Sequence, residues 1–170
     1  ILKKNKIKPK TILFHSIEDF INKNFRKEIY SECKKLKIKN IGCSIYNNQV
    51  IEDIFNKDLS TIQLPLSLIN RFFYEEKLLH KFVQLKKKIQ IRSIFHQGSI
   101  FVSESKFKKN FPNEVEKFTN LKKLISKLNL TIDEVFFNWV SSIKEINEII
   151  IGVDKNNQLL KILKYKNKKN

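Results

Sequence analysis

The sequence predicts an α/β fold in which about five parallel strands alternate with helices. Short and almost continuously apolar runs recur along the chain, as is typical of strands that helices cover. Between them lie segments whose apolar residues recur every three or four positions, as on the buried face of a helix. Alternation of the two element types indicates right-handed βαβ units and a parallel sheet.

The predicted strands are short. They cover residues 11–14 (TILF), 40–46 (NIGCSIY), 61–64 (TIQL), 89–94 and 148–153 (EIIIGV). The first helix is predicted to begin after Ser16, a capping residue with Asp19 three positions later. Thr131 and Glu134 have the spacing of a capping box at the start of another helix. The remaining helices are predicted at 50–55, 75–87, 113–128 and 156–164, and residues 106–112 are predicted to form a loop.

The chain is predicted to hold one structured region. Its 170 residues, 41% of them hydrophobic, suffice for one packed core. Residues 1–10 are predicted to be a basic N-terminal connection, 11–163 the folded part, and 164–170 a lysine-rich tail. The first residue is Ile1 rather than Met, which leads us to expect a missing N-terminal portion.

The net charge of +17 raises the question of a nucleic-acid partner. Lys, Asn, Ile and Phe are abundant together, which is the composition that an AT-rich genome produces, and the lysines are scattered along helices. Aromatic RNA-binding signatures are absent from the sequence. We therefore expect no nucleic-acid partner, although a basic nucleic-acid-binding module without catalysis remains the alternative function.

The cysteine content and the length of the apolar runs predict the cellular compartment of the protein. Cys33 and Cys43 have neither metal-site nor disulfide-framework spacing, which predicts a reduced, cytoplasmic protein without a metal. No apolar run approaches the ~20 residues of a membrane span, so no membrane partner is expected.

Polar residues follow every predicted strand. Because parallel strands bring their carboxyl ends to one edge of a sheet, these residues should meet where α/β folds build their sites. A histidine suits proton transfer near neutral pH, although a lone histidine at a strand end is more often structural. Gly152 before a helix start could be an anion site or only a flexible backbone position. The candidates are His15, Ser16, Ser44, Gln63, Arg92, Ser93, Gln97, Gly98, Gly152 and the segment 154–157.

Taken together, these motifs resemble the C-terminal part of the aldo/keto reductase family, over residues 10–163. The stretch TILFHS resembles the fourth barrel strand of that family, which ends in the catalytic histidine, here His15. KNIGCSIYN and STIQLPLSLIN resemble the fifth and sixth strands. The resemblance implies that Ser44 and Gln63 contact the nicotinamide amide.

The last two strands complete the resemblance. IQIRSIFHQG resembles the seventh strand and its exit toward the cofactor diphosphate, which implies roles for Ser93, Gln97 and Gly98. LTIDEVFFNWVSS and EIIIGVDKNNQLLKIL resemble the closing segment, in which a turn and a helix start hold the adenosine phosphate. The residues implied there are Gly152, Asp154 and Gln158.

The chain also departs from the family pattern. Arg92 stands where an aromatic residue commonly stacks on the nicotinamide ring, and we count it among the candidate cofactor-binding residues. Ile45 replaces a frequent asparagine. Lys155 is the nearest candidate for contacting a 2′-phosphate, so both NADP and NAD remain open as cofactors.

The resemblance implies a partial (β/α)8 TIM barrel whose first three β/α units are missing. It also implies NAD(P)H-dependent reduction of a small carbonyl substrate, an aldehyde or ketone, with sugar-related compounds as one candidate class. The proton-donor tyrosine, aspartate and lysine of the family lie on those three strands, so we expect this chain alone to be inactive. A different parallel α/β enzyme that uses the same strand ends is a second alternative.

Overall fold

Five parallel strands form one sheet in the computed structural model of the chain, which describes residues 9–46, 55 and 58–167. The strands lie in the sheet in the order in which they occur in the chain, and every neighbouring pair is parallel. The predicted alternating α/β fold is therefore confirmed. The strands are β1 (Thr11–Phe14), β2 (Asn40–Ser44), β3 (Thr61–Pro65), β4 (Lys88–Arg92) and β5 (Glu148–Ile149).

Helices connect β1 to β2, β3 to β4 and β4 to β5, as the crossover between parallel strands requires, whereas most of the connection between β2 and β3 lies outside the described residues. They are α1 (Ile17–Ile21), α2 (Lys23–Lys35), α3 (Phe72–Glu75), α4 (Leu78–Gln84), α5 (Glu104–Asn110), α6 (Val115–Ile125), α7 (Ile132–Ser142) and α8 (Asn156–Asn167). Short 3-10 segments cover His96–Phe101, which is kinked at Gln97 and Gly98, and Pro112–Glu114. The predicted helix at 50–55 lies outside the described residues except for Phe55, and the segment 1–10 does so except for Pro9 and Lys10.

The two faces of the sheet differ in chemistry because successive residues of a strand point to opposite sides. Cys43, Ile62 and Ile89 occupy one register row and are completely buried in the main core. That core also contains Phe20 of α1 and Phe82 of α4, so this face is the one covered by helices. The opposite face carries polar side chains, which the site uses.

A second core lies under the segment that follows β4. Phe107 of α5 stacks on Phe118 of α6 with ring centroids 4.0 Å apart, and both rings are completely buried. Ile100 and Phe136 of α7 belong to the same cluster. The helices α5 to α7 thereby support the backbone that leaves the carboxyl end of β4.

The prediction of a loop at 106–112 was wrong. Residues 104–110 form α5, which Ser103 caps by accepting a hydrogen bond from the backbone N–H of Lys106 at 3.4 Å. Burial of Phe107 stabilises the helix. Phe111 lies four residues further along and packs against Phe107, and this helical spacing of two aromatic residues could have predicted α5.

Several predicted boundaries also differ from the structure. The first helix is divided at Asn22, whose side chain accepts from the N–H of Phe25 and so starts a new helix. The predicted helix 75–87 is replaced by α3 and α4, separated by Lys77 at a left-handed φ of 55°. The β5 ladder ends at Ile149, and α8 continues to Asn167.

Two expected helix caps have different outcomes. Ser16 accepts from the N–H of Asp19 at 3.3 Å, as predicted. Thr131 is the N-cap residue of α7 but makes no capping hydrogen bond, since its hydroxyl pairs with that of Tyr165 at 3.0 Å. Within the described ranges, none of the helices has the length and apolar character that a membrane crossing requires.

Candidate functional site

A cleft of about 590 Å³ opens at the carboxyl ends of β4 and β5. Its lining comes from the segment after β4 and from the segment between β5 and α8, which are far apart in the sequence. Parallel strands in sequential order explain why the two segments meet. The predicted site residues that line the cleft are Arg92, Ser93, Gln97, Gly98, Gly152, Asp154 and Gln158.

The backbone after β4 adopts an uncommon conformation. Ser93, His96, Gln97 and Gly98 all have positive φ values, of 58°, 48°, 55° and 79°. Hydrogen bonds from the N–H of His96 to the Ser93 carbonyl (2.8 Å) and from the N–H of Gly98 to the Phe95 carbonyl (2.9 Å) hold the turn. Non-glycine residues with positive φ cost free energy, and such strain is concentrated at ligand sites.

Two glycines leave the cleft open. A Cβ atom added to Gly98 or Gly152 would meet no other heavy atom within 4 Å. Gly98 needs to be glycine for its backbone, whereas Gly152 has no positive φ and no close neighbour that would require glycine. Both positions therefore provide bare backbone that a bulky anionic ligand can approach closely, as a dinucleotide diphosphate does.

A row of polar side chains crosses the sheet beside this cleft. The Ser44 hydroxyl donates to Gln63 Oε1 at 3.3 Å, and Gln63 Nε2 donates to Gln90 Oε1 at 3.3 Å. Gln90 Nε2 then donates to Glu148 Oε2 at 2.6 Å. The four residues occupy one register row, so their side chains share one face. Hydrogen bonds from Lys88 and Gln90 hold the pKa of Glu148 below its usual range.

Arg92 joins the carboxyl ends of β2 and β4. Its guanidinium donates from Nε to Ser44 Oγ (3.3 Å), from Nη1 to Ser93 Oγ (3.4 Å) and from Nη2 to the Ile45 carbonyl (3.4 Å). It also stacks over the Tyr46 ring at 4.3 Å from the centroid. Burial lowers the pKa of Arg92, and Tyr46 opposes that effect.

The predicted catalytic histidine lies on the same edge of the sheet. His15 follows β1 and is exposed, and its ring packs edge-on against Tyr46 with centroids 6.4 Å apart. Tyr46 therefore lies between His15 and Arg92. His15 does not line the cleft itself.

A glutamine side chain already accepts hydrogen bonds from the backbone N–H groups at the start of α8. Gln158 Oε1 accepts from the N–H groups of Asp154 (2.8 Å) and Lys155 (3.1 Å). A phosphate at this helix start would therefore compete with Gln158 for the two N–H groups. The exposed Lys155 is not among the residues that line the cleft.

Sequence analysis missed three residues near the site. Gln90 was detectable, because it lies two residues before Arg92 on the same face of β4. Tyr46 follows Ser44 by two residues, but its packing against Arg92 depends on the register of distant strands. His96 Nε2 lies 2.9 Å from Glu114 Oε2, outside regular hydrogen-bond geometry, and neither atom has another partner among the described residues.

No protein-family model matches this chain, and no curated protein does. Among solved structures, it is similar to the glycerol dehydrogenase AKR11B4 from Gluconobacter oxydans, an aldo/keto reductase. The TM-score is 0.62 and the sequence identity is 17%. The match covers 96% of this chain and 60% of that protein.

At this level of identity the similarity establishes the fold. The chain spans 60% of the length of the glycerol dehydrogenase, and its five parallel strands alternate with helices. The predicted partial (β/α)8 barrel is thereby confirmed.

Proposed function

We propose that this chain is part of an NAD(P)H-dependent oxidoreductase that reduces an aldehyde or ketone. The observation that supports the proposal best is the pair of glycines, Gly98 and Gly152, which leave open space at a cleft formed by two strand ends. The cleft is large enough to hold much of a dinucleotide, since ligand pockets are commonly ~300–1,000 Å³.

Different residues of the cleft would contact different parts of the cofactor. Gln97 and Gly98 would hold the diphosphate, and Gly152, Asp154 and Gln158 the adenosine phosphate. Since Gln158 caps the α8 start, its carboxamide would turn away when a phosphate takes the same N–H groups. Lys155 is the candidate that would contact the 2′-phosphate of NADPH, although it does not line the cleft, so both NADPH and NADH are candidate cofactors.

The nicotinamide end would lie against the polar row. Ser44 and Gln63 both offer hydrogen-bonding groups to a carboxamide, and their mutual bond is long at 3.3 Å, so a ligand can replace it. The bound cofactor supplies the hydride. His15 would donate a hydrogen bond to the substrate carbonyl oxygen and stabilise the negative charge that develops there. The proton that converts the alkoxide into the alcohol would come from the tyrosine that the family carries on its first three strands, so this chain alone would be inactive.

The proposal is tested by dinucleotide binding. NADPH and NADH are titrated separately into the chain while the nicotinamide fluorescence is recorded. In Gly152→Leu the new side chain occupies open space, so the fold should tolerate it, but it fills the cleft and should weaken binding about tenfold or more. Asn120→Leu, an exposed change on α6, is the matched control and should bind as the wild type does.

A nucleic-acid-binding role is the competing function, and the net charge of +17 is what favours it. Retention on DNA that falls steeply with salt, together with no saturable signal for either dinucleotide, would support that role and contradict ours. Equal binding by Gly152→Leu and the wild type would place the dinucleotide outside this cleft.

A further inference from the structure

Arg92 is a half-buried cation whose partners among the described residues are all neutral. Its three hydrogen bonds go to two serine hydroxyls and one backbone carbonyl, and its aromatic partner is Tyr46. No carboxylate of a described residue forms an ion pair with the guanidinium, although Asp154 lines the same cleft. A charge removed from water without an opposite charge is unfavourable, and here burial already lowers the Arg92 pKa.

The three hydrogen bonds of Arg92 are also long. They measure 3.3, 3.4 and 3.4 Å, whereas charge-assisted bonds to an oxyanion are about 2.7–2.9 Å. A guanidinium has five N–H donors. Nε uses its single donor, and Nη1 and Nη2 use one each, so one N–H on each terminal nitrogen has no partner among the described residues. Stacking on Tyr46 covers a face of the guanidinium and leaves these in-plane donors available.

We propose that Arg92 binds an oxyanion, a carboxylate or phosphate group of the ligand that occupies this cleft. With one such in-plane donor on each terminal nitrogen, the guanidinium can offer the two N–H groups that bidentate binding of a carboxylate or phosphate requires. Ser93, whose hydroxyl already contacts Nη1, lines the cleft beside it and adds a neutral donor.

The oxyanion has two possible carriers. It is either a phosphate of the dinucleotide or an anionic group next to the carbonyl of the substrate. The second source would make the substrate an oxo acid or a phosphorylated carbonyl compound, and that identification rests on the proposed function. The oxyanion site itself does not depend on it.

The chain contains three arginines, Arg26, Arg71 and Arg92, which makes a direct test possible. The ¹⁵N-labelled protein gives one Nε–Hε signal for each arginine, and inorganic phosphate and acetate are titrated at constant ionic strength. The Arg92 signal should shift and saturate. Arg26 and Arg71 are internal controls for general attraction of anions by a basic protein, and their signals should not saturate.

Substitution gives a second readout. Arg92→Gln should weaken phosphate binding at least about tenfold, as followed by the backbone amides of Gln97 and Gly98. Arg71→Gln removes the same charge from an exposed pair with Glu75 and should leave binding unchanged. If Arg92→Gln unfolds, the wild-type titration decides alone.

Addition of NADPH separates the two carriers. If bound NADPH abolishes the shift of the Arg92 signal with phosphate, the oxyanion belongs to the cofactor. If the shift persists with NADPH bound, the oxyanion belongs to the substrate. A phosphate response without NADPH binding supports the oxyanion site while the proposed function fails. An Arg92 signal that does not respond to either anion, or that moves no more than those of Arg26 and Arg71, would overturn the proposal and make Arg92 only a link between β2 and β4.

Discussion

Gly42 lies where β2 passes close to its neighbours. A Cβ atom at this position would be 2.3 Å from the Thr61 carbonyl oxygen and 2.6 Å from Cδ2 of Leu13. The carbonyl belongs to the β3 backbone and cannot move without disturbing the ladder. We expect Gly42→Ala to lower the free energy of unfolding by about 1–3 kcal/mol or more, as measured by urea denaturation.

Gly152→Ala is the matched control for this prediction. The same methyl group meets nothing within 4 Å there, and the backbone has no positive φ. Its effect on the free energy of unfolding should stay within about 0.5 kcal/mol. Equal destabilisation by the two substitutions would contradict the close approach of β2 to the β3 backbone at Gly42.

Cys43 is expected to be chemically inert in the folded protein. Burial raises the pKa of its thiol to about 12, and the charges of Asp19 and Glu18 add to the effect. Because the thiolate is the reactive form, a thiol reagent such as DTNB should not modify Cys43 at pH 8 until the protein unfolds. The Cys33→Ala variant isolates the Cys43 signal. Rapid release of one equivalent of chromophore from the native variant would contradict the prediction, while guanidinium should make the thiol react at once.

At the scale of elements, Asp133 connects α7 to α8. Its carboxylate accepts from Tyr165 at 2.8 Å and pairs with Lys161 at 2.7 Å. Burial acts to raise the pKa of Asp133, but hydrogen bonds from Lys161 and Tyr165 outweigh it and hold the pKa below its usual range. Deprotonated Asp133 therefore stabilises the contact between the two helices.

The pH dependence of this contact follows from the direction of the shift. A carboxyl whose folded-state pKa is lowered gives its full stabilisation above the unfolded value of about 3.9 and loses it as the pH falls through the folded value. Asp133→Asn should lower the free energy of unfolding by about 1–3 kcal/mol at pH 7. Urea denaturation at several pH values should show that cost shrinking below about pH 4. A cost that is independent of pH would rule out the ionic origin.

Element prediction from this sequence succeeded where the apolar pattern was long. The regular spacing through Val115, Phe118, Leu121 and Ile125 predicted α6 within a few residues of its bounds. It failed at α5, where a short lysine-rich segment depends on the burial of Phe107 against a later helix. The break at Asn22 was missed because it comes from one asparagine that ends α1 and caps α2 with its side chain, rather than from glycine or proline.

At the scale of the molecule, strand order decided how much of the site could be predicted. Once the strands are parallel and sequential, the residues after β4 and β5 must meet at one edge, as the predicted Ser93, Gln97 and Gly152 do. The contacts of Arg92 could not be predicted in the same way. They depend on which residues of β2 lie opposite β4 across β3, and a slip of one residue would turn those side chains to the other face.

The charge of the whole chain gives the last prediction. With 34 basic and 17 acidic residues, folding brings like charges together, and the resulting repulsion opposes the compact state. Salt screens this repulsion, so raising NaCl from about 0.02 to 0.3 M should raise the Tm by a few degrees. Calorimetry or circular dichroism measures the shift.

Replacing the exposed Lys117, Lys127 and Lys144 by glutamine should flatten the dependence of the Tm on salt, because less repulsion remains to be screened. A Tm that falls with salt would mean that attractive ion pairs dominate the electrostatics of the fold.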